Sequence, residues 1–143
     1  MSFFINLNYQ QPQQPQQPQQ LNPYEIAGTF CDLYYTTVIT KGYAGVLNLF
    51  DSNCQCNYNG NEMIGMYNIL YLFASEGIAR MYYDKLYYTP MVIDNETLLI
   101  QVTGLCQIVT FWGTLGFTYS FVETFILKCT GGGAIVVGYI FKI

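Results

Sequence analysis

The sequence predicts an α+β domain in which N-terminal helices pack on one face of a curved antiparallel sheet. Helical patterns flank an Asn59-Gly60 turn signal in the first half, and β-type segments fill the second half. Asn-Gly between extended runs is typical of a type I′ hairpin, because both central residues of that turn need positive φ. Helices followed by a meandering sheet are typical of a two-layer α+β architecture.

A Gln/Pro-rich arm over residues 1–21 is predicted to precede the domain, which we place at residues 22–143. Between Gln10 and Gln20 the repeat Gln-Gln-Pro has a period of three, the number of residues per turn of polyproline II. Two interpretations stay open, a spacer and an arm that docks on a partner. The anchors in the docking interpretation are apolar: Phe3, Phe4, Ile5 and Tyr9.

The first helix is expected to begin at Asn22 and to stop at Lys41-Gly42. Asn22 can cap the helix, Pro23 suits its first turn, and Glu25 completes a capping box. Glycine after the last periodic residue is a common stop signal.

Two more helices are expected around the hairpin, a short one over 43–50 and another over 66–75. From Ala79 onward the pattern changes to strands, separated by turn residues such as Asp94-Asn95 and a run of three glycines. The expected strands cover residues 81–88, 98–109, 117–128 and 134–142.

The composition predicts a protein partner on the sheet face opposite the helices. Apolar residues make up 52% of the chain and charged residues 10%, against about 25% charged in typical soluble domains. So few charges cannot cover the whole surface, and we expect many aromatic side chains on that sheet face. Direct nucleic-acid binding is not expected, because the net charge is −4 and no basic cluster exists.

Neither a metal, a cofactor nor a membrane is expected as a partner. The five cysteines have no framework spacing and the chain has no histidine, so reduced thiols in cytosol or nucleus are predicted. No signal peptide is indicated. The uncharged stretch 98–122 is interpreted as two strands and a turn, because its Gln101 and Gln107 would be costly in hydrocarbon.

From Glu25 to Ile143, the order of elements and several local runs resemble the nuclear transport factor 2-like family. These runs are Phe30-x-x-x-Tyr34-Tyr35, Tyr58-Asn59-Gly60, Gly65 before a helix, Gln101-Val102-x-Gly104, Phe121-x-x-Thr124-Phe125 and Ile140-Phe141-Lys142. The resemblance implies a cone that encloses a cavity, and pairing through the sheet as in the transport members.

Within that family, the chain is locally most similar to the small mRNA-export cofactor that pairs with the large export receptor. The similar runs are Tyr58–Asn61, Tyr34–Thr37 and Phe125–Leu127. Lys142 stands where the cofactor has an Arg in an ion pair, and lysine keeps the charge without the bidentate fork. The expected interface residues are Tyr58, Asn59, Trp112 and Lys142. For Trp112, a position tucked under the sheet stays open.

Two other relatives supply alternatives. The carrier of RanGDP has a glutamate where this chain has Asn59 and an acidic loop where 110–116 has no carboxylate, so the acidic contacts for Ran are missing. A stress-granule scaffold domain holds Phe-Gly peptides in a slot. The matching positions here are Ile26, Phe30, Phe50 and Phe141, for which a plain core role is the alternative.

Catalysis is not expected, although the fold also hosts isomerases and dehydratases. The chain has no histidine, and Glu123 is the one acid within a long strand, where we expect it to be paired or solvent-facing. The sequence thus predicts a non-catalytic protein-binding module in nucleocytoplasmic transport, the small subunit of an mRNA-export receptor-like heterodimer. The expected locations are nucleus, cytoplasm and nuclear envelope. The alternative is a Phe-Gly-peptide-binding or architectural subunit of a larger assembly.

Overall fold

The computed structural model describes residues 3–4 and 21–143, apart from Thr114, and only the backbone of Phe3, Phe4 and Leu115. Most of the Gln/Pro-rich arm, with the proposed anchors Ile5 and Tyr9, lies outside the described residues. Phe3–Phe4 forms strand β1, which pairs antiparallel with the start of the last strand of the same chain, at Gly133 and Ala134. Docking of the arm on a partner stays a prediction.

The first helix, α1, spans Pro23–Lys41 and confirms the predicted boundaries. The Asn22 side chain accepts a hydrogen bond from the Glu25 N–H at 3.2 Å. At the other end Gly42 has φ 76° and its N–H donates to the Val38 carbonyl at 2.9 Å. Both caps satisfy backbone groups that would otherwise lack partners at the helix ends.

The predicted hairpin and second long helix are also confirmed. Asn59 and Gly60 have φ values of 48° and 87°, as the tight turn requires. Phe50, expected to end a short helix, instead opens a strand, because it pairs with Val136 of the last strand. The elements after α1 are a 3-10 helix over Tyr43–Leu49, β2 over Phe50–Tyr58, β3 over Asn61–Ile64 and α2 over Met66–Ser75.

The second half is a four-stranded antiparallel meander whose strands extend past most predicted ends. Its members are β4 (Ile78–Val92), β5 (Thr97–Thr110), β6 (Leu115–Thr130) and β7 (Gly133–Lys142). The sheet order is β3-β2-β7-β6-β5-β4. The expectation of an antiparallel sheet needs one correction, because β2 pairs parallel with β7. A parallel pair needs a long crossover, which α2 and the meander provide.

The helices pack on one face of this curved sheet, and most aromatic side chains point toward them. Phe121, Phe125, Tyr139 and Phe141 are all at most 2% exposed. Large rings at alternate strand positions remove the most apolar area from water when they are buried, so they lie on the side of the sheet that the helices cover. On the opposite face, which we call the outer face, β2, β3 and β7 carry mainly aliphatic, Asn and Gln side chains, and exposed rings lie on β4, where Tyr82 and Tyr87 are 45% and 76% exposed. The expectation of an aromatic-rich opposite face is therefore met on β4 and wrong for β2, β3 and β7.

A β-bulge interrupts the edge strand β4 where it pairs with β5. The β4–β5 register shifts between Asp84 and Tyr87, and Lys85 in the bulge has φ 53°. Gly104 lies against this bulge, where a Cβ atom would be 2.9 Å from the Asp84 carbonyl oxygen and 3.1 Å from the Phe121 ring. The bulge thus needs a residue without a side chain on the neighbouring strand.

We expect Gly104→Ala to lower the free energy of unfolding by about 1–3 kcal/mol, because backbone must move to admit the methyl group. Urea denaturation measures the change. The matched control is Thr103→Ala at the exposed neighbouring position, expected to change stability by less than about 0.5 kcal/mol. Equal stabilities of the two variants would contradict the close approach.

Candidate functional site

The outer face holds a shallow groove of about 610 Å³ across strands β3, β2, β7 and β6. Gly138 forms its floor, since this residue has no side chain between Ile126 and Ile140. Ile64 and Ile140 are 55% and 47% exposed on its walls. Polar groups at the groove are Gln55, Asn57 and Glu62. An apolar groove of this size on a sheet face is typical of a surface that another protein covers.

The structure brings Tyr58, Asn59 and Lys142 together where β2 and β7 end side by side. Asn59 is exposed at the hairpin, where its side-chain oxygen accepts from the Ile143 N–H at 2.8 Å. Lys142 is exposed on β7 and pairs with Val122 of β6 on the outer face. Tyr58 precedes Asn59 and pairs with Phe141 of β7, but its ring is 3% exposed and stacks on Phe141 at 5.2 Å between centroids. A direct contact of the Tyr58 ring with a partner is therefore not available in this conformation.

Trp112 lies on the β5–β6 hairpin, which extends beyond the level of Lys142, because Lys142 pairs with Val122 and the hairpin closes at Val109 and Leu115. Its side chain is 82% exposed, and a Cβ atom at Gly77 would be 3.0 Å from its ring. Trp112 is therefore not tucked under the sheet. An interface role for it stays a prediction.

The four predicted peptide-slot residues lie in the core instead of lining an open slot. Ile26, Phe30, Phe50 and Phe141 are between 0% and 5% exposed. Phe30 packs edge-on against Phe125 at 4.8 Å between ring centroids. A peptide Phe could enter here only if these rings moved apart, because the side chains already fill the space. Peptide binding at these positions stays a prediction.

Sequence reasoning did not identify the most unusual polar group of the described chain, the buried carboxyl of Glu123. Glu123 is 0% exposed and sits between the inward-facing Phe121 and Phe125 on β6. Tyr35 donates a hydrogen bond to its Oε1 at 2.6 Å, and Tyr34 donates to Oε2 at 3.3 Å. Glu123 is thus paired, as one of the two expectations had it, but with phenols and not with a cation.

A third phenol completes this group, because the Tyr139 hydroxyl also donates to Glu123 Oε2. We call Glu123 with Tyr34, Tyr35 and Tyr139 the carboxyl–tyrosine cluster. The signal that could have located it is the alternation of Phe121, Glu123 and Phe125, which puts the acid on the same face as two large rings.

Burial raises the pKa of Glu123 to about 7, because no water solvates its charge; the three phenol hydrogen bonds oppose this rise. Burial, followed by the negative charge of Glu123, holds the pKa values of Tyr34, Tyr35 and Tyr139 well above their ordinary value. A carboxyl with a pKa close to neutral can take up or release a proton under physiological conditions.

Three of the described thiols, those of Cys31, Cys106 and Cys129, are poor nucleophiles because burial disfavours the thiolate, whereas the hydrogen bond with Cys54 lowers the pKa of Cys56. Burial raises the pKa of Cys31 to about 12 and those of Cys106 and Cys129 to about 11. Cys54 and Cys56 point the same way on β2, as the sequence predicts, with their sulfur atoms 3.8 Å apart. Among the described residues, no group of three or more Cys, Asp or Glu could hold a metal ion. None of the described helices is both long and apolar enough to cross a bilayer.

Comparison with known proteins shows similarity in structure but not in sequence. No family model and no curated protein sequence matches the chain. The structure is similar to nuclear transport factor 2 from Cryptosporidium parvum, at 20% identity and TM-score 0.66, over 86% of this chain and 95% of that one. It is also similar to the association domain of C. elegans CaMKII, at 13% identity and TM-score 0.60, over 84% of this chain and 95% of that one.

A third similar structure corrects the expectation that the chain is not an enzyme. It is a protein from Novosphingobium aromaticivorans that is provisionally named an aromatic ring hydroxylase, at 14% identity and TM-score 0.65, over 82% of this chain and 87% of that one. The absence of histidine is therefore not a ground for excluding catalysis, since this fold carries proteins named as enzymes and Glu123 has a pKa suited to proton transfer.

The helices on a curved, unclosed sheet and the high structural similarity agree with the resemblance found in the sequence. Identities of 20% and below establish the fold and not a shared activity. The chain has the nuclear transport factor 2-like fold.

Proposed function

We propose that this chain is a protein-association module that pairs, through its outer face, with a second domain of the same fold. In its specific form, the proposal makes the chain the small subunit of an mRNA-export receptor-like heterodimer. Its places of action are then the nucleus, the cytoplasm and the nuclear envelope.

The observation that carries the proposal is the apolar outer-face groove. Ile64, Ile140 and Val122 are 55%, 47% and 36% exposed on strands that otherwise face solvent with Gln and Thr side chains. Covering such side chains contributes about 25 cal/mol per Å² of apolar area. Charges lie at the margin, with Glu62 on β3 and Lys142 on β7, which is the arrangement of an apolar interface centre with a polar rim.

A second sheet of the same fold is the occupant that suits this surface. The groove is open and broad instead of deep, and it crosses four neighbouring strands, so a sheet can cover it more fully than a single peptide. Two of the similar structures are named for transport and for association. The transport assignment rests further on the sequence resemblance at Tyr58–Asn61 and Tyr34–Thr37.

Two alternatives remain as outcomes of the test. A homodimer would use the same outer face. If the chain is instead a Phe-Gly-peptide-binding or architectural subunit, the partner that co-purifies with it would lack a domain of this fold. A carrier of RanGDP has less support, because 110–116 has no carboxylate and Asn59 offers no charge.

Co-purification of the tagged chain from its own cells, followed by mass spectrometry, tests the partner. Recovery of a larger chain with a second domain of this fold, together with Phe-Gly nucleoporins, supports the export heterodimer. Recovery of the chain alone as a dimer supports self-pairing. A stable monomer at high concentration with neither partner would contradict the proposal.

We expect Ile140→Glu to weaken pairing by about 100-fold, because the new carboxylate would lose its water inside an apolar interface. Sedimentation velocity or a pull-down titration measures the loss. The control is Ile39→Glu, since Ile39 is 53% exposed on α1, away from the outer face. Equal pairing of Ile140→Glu and wild type would exclude the outer face as the interface.

A further inference from the structure

A second cavity lies between α1 and the β4–β5 edge of the sheet, with a volume of about 250 Å³. Helix α1 contributes Cys31, Tyr35 and Thr36 to its lining, β4 contributes Leu86 and Tyr88, and β5 contributes Val102. Cavities of about 150 Å³ lined by apolar side chains accommodate benzene. This cavity therefore has room for a single ring with a substituent.

A single side chain, Tyr35, separates this cavity from the buried carboxyl of Glu123. Tyr35 lines the cavity and donates its hydroxyl hydrogen to Glu123 Oε1 at 2.6 Å. Val102 also lines the cavity and is the cross-strand neighbour of Glu123. A molecule in the cavity would thus contact the carboxyl–tyrosine cluster through Tyr35.

Two polar groups of the cavity, Tyr35 and Asp32, can only accept hydrogen bonds from a ligand, whereas the hydroxyls of Thr36 and Tyr88 can donate or accept. Because the Tyr35 hydrogen is engaged by Glu123, only the lone pairs of the Tyr35 oxygen are available to a ligand. The carboxylate of Asp32, exposed at the cavity, also accepts only. Leu86, Tyr88 and Val102 supply apolar contact for the rest of the molecule.

We propose that this cavity binds a small single-ring molecule whose hydroxyl or ammonium group donates a hydrogen bond to the Tyr35 oxygen. The ring lies against Leu86, Tyr88 and Val102. The site is on the helix side of the sheet, so its occupation is independent of pairing through the outer face.

Three probes that differ only in their polar group test the proposal. Toluene has no donor, 4-methylphenol has a hydroxyl donor, and tyramine adds an ammonium group. Titration followed by ¹H–¹⁵N spectra should shift the amides of Cys31, Tyr35 and Val102. We expect 4-methylphenol to bind about tenfold more tightly than toluene, which corresponds to about 1.4 kcal/mol for one hydrogen bond in a partly dry site.

Variants separate the cavity from other surfaces. Thr36→Trp fills the cavity from an exposed helix position and should abolish binding of all three probes. Thr29→Trp, on the same helix at an exposed position outside the cavity lining, is the matched control and should leave binding unchanged. Tyr35→Phe should remove the preference for 4-methylphenol while toluene still binds. Asp32→Asn should weaken tyramine and leave 4-methylphenol unchanged.

Several results would overturn the proposal. They are no binding of any probe to the folded protein at millimolar concentration, equal affinity for toluene and 4-methylphenol, and binding that survives Thr36→Trp. If Tyr35→Phe fails to fold, the comparison of toluene with 4-methylphenol on the wild-type chain and on Thr36→Trp still decides the question.

Discussion

Replacing Glu123 with glutamine should stabilise the protein increasingly as the pH rises from about 4.5 to about 7. An ordinary glutamate has a pKa of 4.5, whereas the pKa of Glu123 in the folded chain is about 7, because burial disfavours the charged form. The folded state therefore binds more protons than the unfolded state, so unfolding free energy falls as pH rises through this window. Each pKa unit corresponds to about 1.4 kcal/mol, so the stability gap between variant and wild type should grow by about 3 kcal/mol.

The pH dependence between about 4.5 and about 7 can be assigned to Glu123, because the other ionisable groups packed around it stay neutral over this range. Burial raises the pKa of each of these groups above its ordinary value of 9 or 10: Cys31, Tyr34 and Tyr35 on α1, Tyr43 on the 3-10 helix, Cys106 on β5 and Tyr139 on β7. Glutamine has the same shape, and the phenol hydroxyls can rotate to accept from its NH₂ group.

Urea denaturation of both proteins between pH 4 and pH 8 measures the gap. Glu62→Gln is the control, because Glu62 is exposed on β3 and water solvates it in both the folded and the unfolded state. The difference in unfolding free energy between Glu62→Gln and wild type should therefore stay constant from pH 4 to pH 8. A gap for Glu123→Gln that is independent of pH, or that shrinks as pH rises, would show that the carboxyl is solvated or paired with a cation.

Phe30→Ala should lower the free energy of unfolding by about 3–5 kcal/mol, the range for a buried phenylalanine whose site cannot collapse. Phe30 is 0% exposed, and its ring centroid lies 4.8 Å from Phe125 and 5.8 Å from Tyr34. Rigid rings on both sides cannot fill the space that the substitution leaves. The measurement is urea or thermal denaturation of the purified variant.

The same variant distinguishes a closed core from an open peptide slot at Phe30. If an empty slot lay beside this residue, the cost would be below about 1 kcal/mol, because little packing would be lost. Phe117→Ala provides the control, since Phe117 is 82% exposed on β6 and its loss should change stability by less than about 0.5 kcal/mol. If Phe30→Ala and Phe117→Ala lowered the free energy of unfolding by similar amounts, Phe30 would line an open slot and not a closed core.

Elements with local chemical causes could be predicted from the sequence. Asn22 caps α1 and Gly42 ends it, and both act within one turn of the backbone. The Asn59-Gly60 turn follows from the φ values that these two residues tolerate. The four long strands follow from the composition and from the turn residues between them.

Features that join distant parts of the chain could not be predicted in this way. The parallel pairing of β2 with β7 and the contact of Tyr34 and Tyr35 with Glu123 span most of the domain. Alternation along β6 put Glu123 on the same face as Phe121 and Phe125, but it did not show that three phenols would meet this carboxyl. The groove over Gly138 likewise requires four neighbouring strands in register.

The sequence by itself determined an α+β domain with capped helices, one tight hairpin and a low surface charge, because these properties depend on residues close together in the chain. Only the tertiary structure decided that Phe30, Phe50 and Phe141 fill the core, that Glu123 is dry, and that an apolar groove lies over Gly138 on the outer face. Burial is the reason, since the water available to a side chain is set by elements that reach it from elsewhere in the fold.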